Sequence, residues 1–224
     1  MEETREISAL MTLIDDPDKD VFETVSDRII SYGKLIIPNL EHLWENTPDE
    51  NVQEKIELLI HRLHYQDLQQ DFSEFAKSGS QDLIAGALLV SRYQYPDLVN
   101  TNVYQEIEKI RRNIWLELNS YLTALEQINI LNRILFTYHK YKGVEISYQH
   151  QEEFLLNKVI ETKRGNSIIN GIVYQVLCQM LDIPVKVIKI PRQYLLAYFD
   201  TSYEYFNPQK ETTTGIHFYI DPMN

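Results

Sequence analysis

Residues 164–184, RGNSIINGIVYQVLCQMLDIP, carry two side chains with nucleophilic chemistry on one apolar run. Ser167 follows Gly165 and Asn166 at the start of a predicted helix that Pro184 closes. A hydroxyl there could attack an amide or ester carbonyl if a neighbouring base removed its proton. It could equally cap the helix by accepting a backbone N–H. Cys178 lies eleven positions further along, about three turns from the helix N-terminus and its field, and reads as a buried small hydrophobe. Asp221 could orient a base, or form a turn before Pro222. His217 is the histidine closest to it in sequence. Four strand residues separate the two by roughly 13 Å, too far for direct orientation. His139 and His150 precede the apolar run and could fold towards it, or be loop and surface groups. His61 and His64 are spaced i, i+3, but no cysteine or further ligand spacing accompanies them, so no metal is expected.

The elements that must position these groups fall into two kinds. Before residue 164 the chain reads as successive helices. Asp16 with Pro17, and Thr47 with Pro48 and Glu50, look like helix starts for 15–33 and 46–64. A shift of 31 places Pro17, Asp18, Val21, Val25 and Ile29 on Pro48, Asp49, Val52, Ile56 and Ile60. That is either a short HEAT-like repeat or two similar capped amphipathic helices. Further helices are expected at about 67–77, 81–93, 101–126, 127–141 and 151–163, with KGVEISYQH (142–150) as a loop holding at most a brief extended piece. After Pro184 the period changes to two. VKVIKI (185–190), QYLLAYF (193–199) and GIHFYIDP (215–222) read as consecutive antiparallel strands joined by a polar connection, TSYEYFNPQKETTT. Helices followed by strands make an α+β fold.

Composition narrows the function classes. Seven glycines and eight prolines in 224 residues favour helix over a turn-rich β fold. One cysteine excludes an internal disulfide framework and suits a reducing compartment. Residues 1–14 carry four charges where a signal peptide would be apolar, and no apolar run is long enough to span a membrane, so a cytoplasmic location is expected. The net charge is −12, of which residues 1–60 hold −10 from 15 acidic and 5 basic side chains. Such a surface repels phosphate backbones, so nucleic acid is not an expected partner. It serves either as a solvated face or as a docking face for a basic partner. Fifteen tyrosines, several in the strands and in YQYPDL, would suit a peptide-binding groove, or would simply pack the core and its boundary.

A central helix followed by two strands is the order in which papain-like enzymes present Cys, His and Asp. RGNSIINGIVYQVLCQMLDIP resembles the Gly-x-Cys helix of the transglutaminase-like superfamily, in which the closing proline lies seventeen positions after the cysteine. PRQYLLAY resembles the strand that carries the family's histidine, commonly Pro-Gly-His-Phe-Leu, and FYIDPMN its Ile-Asp-Pro strand. AGALLVSRYQYPDL (85–98), LNRILF (131–136) and FLLNKVIETKRGN (154–166) are similar to the SirB-type bacterial branch, which joins a helical N-terminal half to a transglutaminase-like core.

The resemblance implies an α+β fold: a helical, HEAT-like or merely helical, N-terminal region over 1–126, packed on a papain/transglutaminase-like core over 127–224. It places Ser167, Gln193 and Asp221 at the three triad positions, with Arg192 in place of the glycine before the histidine. Only the aspartate agrees with the catalytic pattern. A glutamine amide does not titrate near neutral pH and cannot serve as base, and a serine without a base is a poor nucleophile. The leading expectation is a catalytically inactive relative that binds a peptide or protein, with no cofactor. Its rivals are an amide-bond hydrolase or acyltransferase using Ser167 with a base from elsewhere, and a structural module of a larger assembly. Family members usually continue beyond the third strand. The oligomeric state is not legible in the sequence.

Overall fold

The computed structural model describes residues 2–190, 193–199 and 215–223, with the backbone alone at residues 2–4, 189, 190 and 193. The chain divides into two compact units, Met1–Ser80 and Gln81–Asn224.

The first unit is helical: α1 (Glu2–Leu13), α2 (Lys19–Ser31), α3 (Ile37–Asn46) and α4 (Glu50–Ser78), with a 3-10 turn before α3. The caps of α2 and α4 are Asp18 and Asp49, one residue beyond each proline, and not Asp16 and Thr47. Asp18 accepts from Asp20 N, and Asp49 from Asn51 N and Val52 N. Asp16 instead accepts from Asp18 N at 2.9 Å, a turn that presents Pro17 just outside the helix. The helices expected at 46–64 and 67–77 are one continuous helix, because nothing between them breaks the backbone until Gly79 adopts φ 63°. Ile14, Val25, Ile29, Leu40, Ile56, Leu59 and Leu63 form this unit's buried core.

The second unit holds α5 (Leu83–Arg92), α6 (Thr101–Trp115), α7 (Ala124–Asn132), a π-helical segment (Arg133–Tyr138), α8 (Leu156–Thr162) and α9 (Ser167–Met180). The unit boundary falls ahead of the 126/127 division read from the sequence, because α5 and α6 contribute Leu88, Val103, Ile107 and Ile110 to the same core as α9. Strands β3 (Val185–Ile190), β4 (Gln193–Phe199) and β5 (Ile216–Ile220) pair antiparallel in the order β3-β4-β5. Two short parallel pieces, β1 (Lys142–Gly143) and β2 (Arg164–Gly165), pair beside the start of α9. The fold is α+β, with its helix–strand core in the C-terminal part.

Helix α9 is central because it is apolar nearly all round. Ile169, Val173, Tyr174, Val176, Leu177 and Cys178 are all buried, and α9 packs on α5, α6, α8, β3 and β4. One face of the sheet closes over it. Val187 pairs with Leu196 and Leu196 with Ile220, and all three join that core. Each fully buried aliphatic side chain stabilises by about 1.5–3 kcal/mol. The buried Tyr174 hydroxyl is satisfied by donating to Asn132 Oδ1 at 2.8 Å. No helix of the described residues is long and apolar enough to cross a membrane.

Candidate functional site

The N-terminus of α9 is built from its cap outward. Lys163 ends α8 in the left-handed region, φ 59°, and turns the chain into β2. Gly165 follows, where no other residue fits: a Cβ would lie 2.7 Å from Val159 Cγ1 and closer still to Asn170 Oδ1. Asn166, extended at φ −72° and ψ 173°, then caps the helix by accepting from Ile168 N at 3.0 Å and Ile169 N at 3.1 Å. The expected cap at Ser167 is thus corrected. An asparagine one residue earlier has the same chemistry, and Ser167 becomes the first helical residue. Asn170 locks the arrangement, its amide donating to Gly165 O at 3.0 Å and Lys142 O at 3.4 Å.

Ser167 is half-buried, and no hydrogen bond joins its hydroxyl to another described residue. It stands at the positive end of the helix dipole. Gly171, one turn on along the same face, meets β4: a Cβ there would fall 2.5 Å from Tyr194 Cδ1, so the tyrosine ring lies directly on the helix backbone. Burial pushes the Tyr194 hydroxyl above its ordinary pKa, so near neutral pH it is a neutral donor and not a base. The sequence reading did not single out this ring. Its signal was Gly171, an isolated glycine inside an apolar helix, which usually marks close packing.

Gln193 opens β4 with its backbone paired to Ile190. Its side chain, Pro191, Arg192 and the connection 201–214 lie outside the described residues. Asp221 follows β5 directly and is exposed. Its Oδ1 accepts from Met223 N at 3.0 Å, the turn-forming role expected of Asp before Pro. Met223 O then accepts from Gly143 N at 3.2 Å, and Val144 N donates to Gly165 O at 3.0 Å. The Asp221 turn and the Ser167 loop are therefore both tied to β1.

The histidines are disposed differently. His139 is buried, and its ring is committed to α6. The Asn113 amide donates to Nε2 at 3.0 Å, and Nδ1 faces Glu106 Oε1 at 3.6 Å. Burial lowers its pKa against the pull of Glu106, so the ring is neutral, with its proton on Nδ1. Burial also works against ionisation of Glu106, but Lys163 at 2.8 Å and Lys109 at 3.6 Å outweigh it and hold the carboxyl below its usual range. His150 is exposed, 4.0 Å from Glu152, in the loop whose Glu153 O accepts from Asn166 N at 3.4 Å. His217 is exposed on β5, its ring 5.9 Å from that of Tyr198, and the extended strand keeps it away from Asp221. Cys178 is fully buried, and burial pushes its thiol far above the ordinary range. It is packing, as expected.

A capped apolar helix, a three-stranded antiparallel sheet closing over it and an aspartate just after the third strand make up the α+β core. The chain belongs to the transglutaminase-like superfamily, whose core model matches residues 101–224. It is also similar to the UPF0162 proteins of Xylella fastidiosa strains Temecula1 and 9a5c, 28% identical to each over 118 residues. That stretch is 51% of this chain and 41% of either relative, so the match spans less than half of their length. No solved structure matches.

Proposed function

We propose that this protein is a catalytically inactive member of the superfamily, from the SirB-type branch, that acts by binding a peptide or protein. The observation that carries this reading is the His139 ring. The most deeply buried imidazole is held by Asn113 and Glu106 on α6, with no hydrogen bond to Ser167. The resemblance puts Gln193 where the family has its base, and a glutamine does not move protons near neutral pH. A serine at a helix start without a base retains at most the weak residual catalysis of positioning and backbone donors. The test is turnover of p-nitrophenyl acetate and of fluorogenic peptide amides by the wild type and Ser167→Ala. Equal rates for the two proteins support the reading. Turnover that disappears in Ser167→Ala overturns it.

One observation favours the rival, an amide-bond hydrolase or acyltransferase using Ser167. His150 directly precedes the 3-10 turn Gln151–Phe154, whose Glu153 O accepts from Asn166 N, the residue beside Ser167. A base recruited from that loop would give a bell-shaped or sigmoid pH–rate profile that His150→Ala abolishes.

A further inference from the structure

Two parallel strands of two residues each tie the candidate site together. β1 and β2 are joined from Lys142 N to Lys163 O at 2.8 Å and from Val144 N to Gly165 O at 3.0 Å, and Gly143 N adds a bond to Met223 O at 3.2 Å. A pair this short is marginal by itself, and parallel pairing is the weaker kind. The chain also enters both strands under strain. Lys140 and Lys163 stand in the left-handed region, at φ 62° and 59°, a conformation that costs free energy for a residue with a Cβ. Groups outside the ladder must therefore hold it closed. Asn170 does so from α9, by donating to Lys142 O and Gly165 O.

The second support is electrostatic and comes from α6. The parallel register sets Lys142 beside Arg164, so Tyr141 and Lys163 stand at neighbouring strand entries. The Glu106 carboxylate serves both. Its Oε1 accepts from Lys163 Nζ at 2.8 Å and faces His139 Nδ1, just ahead of Tyr141, at 3.6 Å. The same ammonium meets the Tyr141 hydroxyl at 3.4 Å and lies over its buried ring at 4.8 Å. The Glu106 and Lys163 side chains are partly buried, so their attraction is screened less than that of a surface pair. Lys109 reaches the other oxygen at 3.6 Å from an exposed position, where an ion pair carries little weight.

We infer that Glu106 is a positioning residue for the candidate site. It latches β1 to β2 through Lys163 and His139. When the latch parts, the small sheet opens locally and frees the Ser167 loop from the Asp221 turn, while α9 stays folded. The device works in the same way whether that loop binds a peptide or attacks one.

The test is native-state hydrogen exchange of the full chain by NMR, in urea well below the unfolding midpoint. In the wild type the Lys142, Gly143 and Val144 amides should exchange at least about tenfold faster than those of Val176 and Leu177 in α9, and with little dependence on urea, because a small opening exposes little surface. Glu106→Gln and Lys163→Met should each speed the three amides by about tenfold and leave that urea dependence small. The double variant should match Glu106→Gln within about threefold, since parting the pair once releases the latch. Lys163→Arg, which keeps the charge, should hold protection within about threefold of the wild type. Unchanged exchange of the three amides in both single variants overturns the latch, and so do effects that multiply in the double variant. Exchange that follows Val176 and Leu177 in rate and in urea dependence overturns local opening, and this wild-type comparison stands even if a variant fails to fold.

Discussion

The ring of Tyr194 occupies the space that a side chain at Gly171 would need, so β4 rests on bare helix backbone one turn beyond Ser167. Two effects of opposite sign meet in Gly171→Ala. Helix propensity alone would stabilise by about 1 kcal/mol. Overpacking against a half-buried aromatic ring costs about 1–3 kcal/mol. The expected outcome is net destabilisation, read as a lower urea midpoint. In the Tyr194→Ala background the same glycine change should become neutral or stabilising. A stabilised Gly171→Ala in the wild-type background would show that the ring yields freely.

The cap assignment separates two neighbouring residues. Asn166→Ala removes the acceptor for Ile168 N and Ile169 N and should cost about 1 kcal/mol or more, since the cap is buried. Ser167→Ala, at the first helical residue, should change stability by less than about 0.5 kcal/mol. Equilibrium urea unfolding of the two variants decides between them. The reverse order would return the cap to Ser167.

The buried His139 makes stability depend on pH. Its pKa is lowered on folding from 6.5, chiefly by burial, so below that value the unfolded chain binds a proton that the folded chain refuses. Stability therefore falls as pH drops through the range just under 6.5. Glu106, whose folded pKa lies below 4.5, adds stability that is complete above 4.5 and is lost at more acid pH. Urea midpoints measured from pH 7 down to about pH 3 should fall in two stages. His139→Gln should remove the upper stage and keep the lower. An unchanged upper stage in that variant would assign it to another group.

Cys178 should be inert in the native state. Its side chain is fully buried, and its thiol is held protonated by its apolar surroundings. Iodoacetamide at about pH 8 should leave the native protein unlabelled over hours and label it fully in denaturant, as read by intact mass. Rapid labelling without denaturant would mean that α9 opens locally far more often than a core helix should.

Much of the core was legible from local pattern. The shift from helical to alternating period after Pro184 located β3, β4 and β5 to within two residues of their observed ends, because strand pairing here follows the sequence order. The apolar run located α9, which ends at Met180, four residues before the closing Pro184. The caps and helix ends were read less well. Asp16, Asp18 and Thr47 all have capping chemistry, and the choice among them depends on which backbone N–H groups each can reach once Pro17 and Pro48 are placed. The helix expected over 101–126 stops at Trp115, and a separate helix starts at Ala124 under the Thr123–Glu126 capping box.

The sequence by itself determined the α+β class, the central helix and the identity of the residues at Ser167, Gln193 and Asp221, because these follow from periodicity and residue chemistry along the chain. Only the tertiary structure decided which groups meet. His139 binds Asn113 and Glu106 on α6, Tyr194 covers Gly171, the Asp221 turn and the Ser167 loop share β1, and Asn157 Oδ1 has no donor among the described residues. Each of these relationships joins residues far apart in the chain or depends on how one side chain packs. No local spacing carries that information, and burial, which sets the charge states of His139 and Cys178, exists only once distant segments exclude water together.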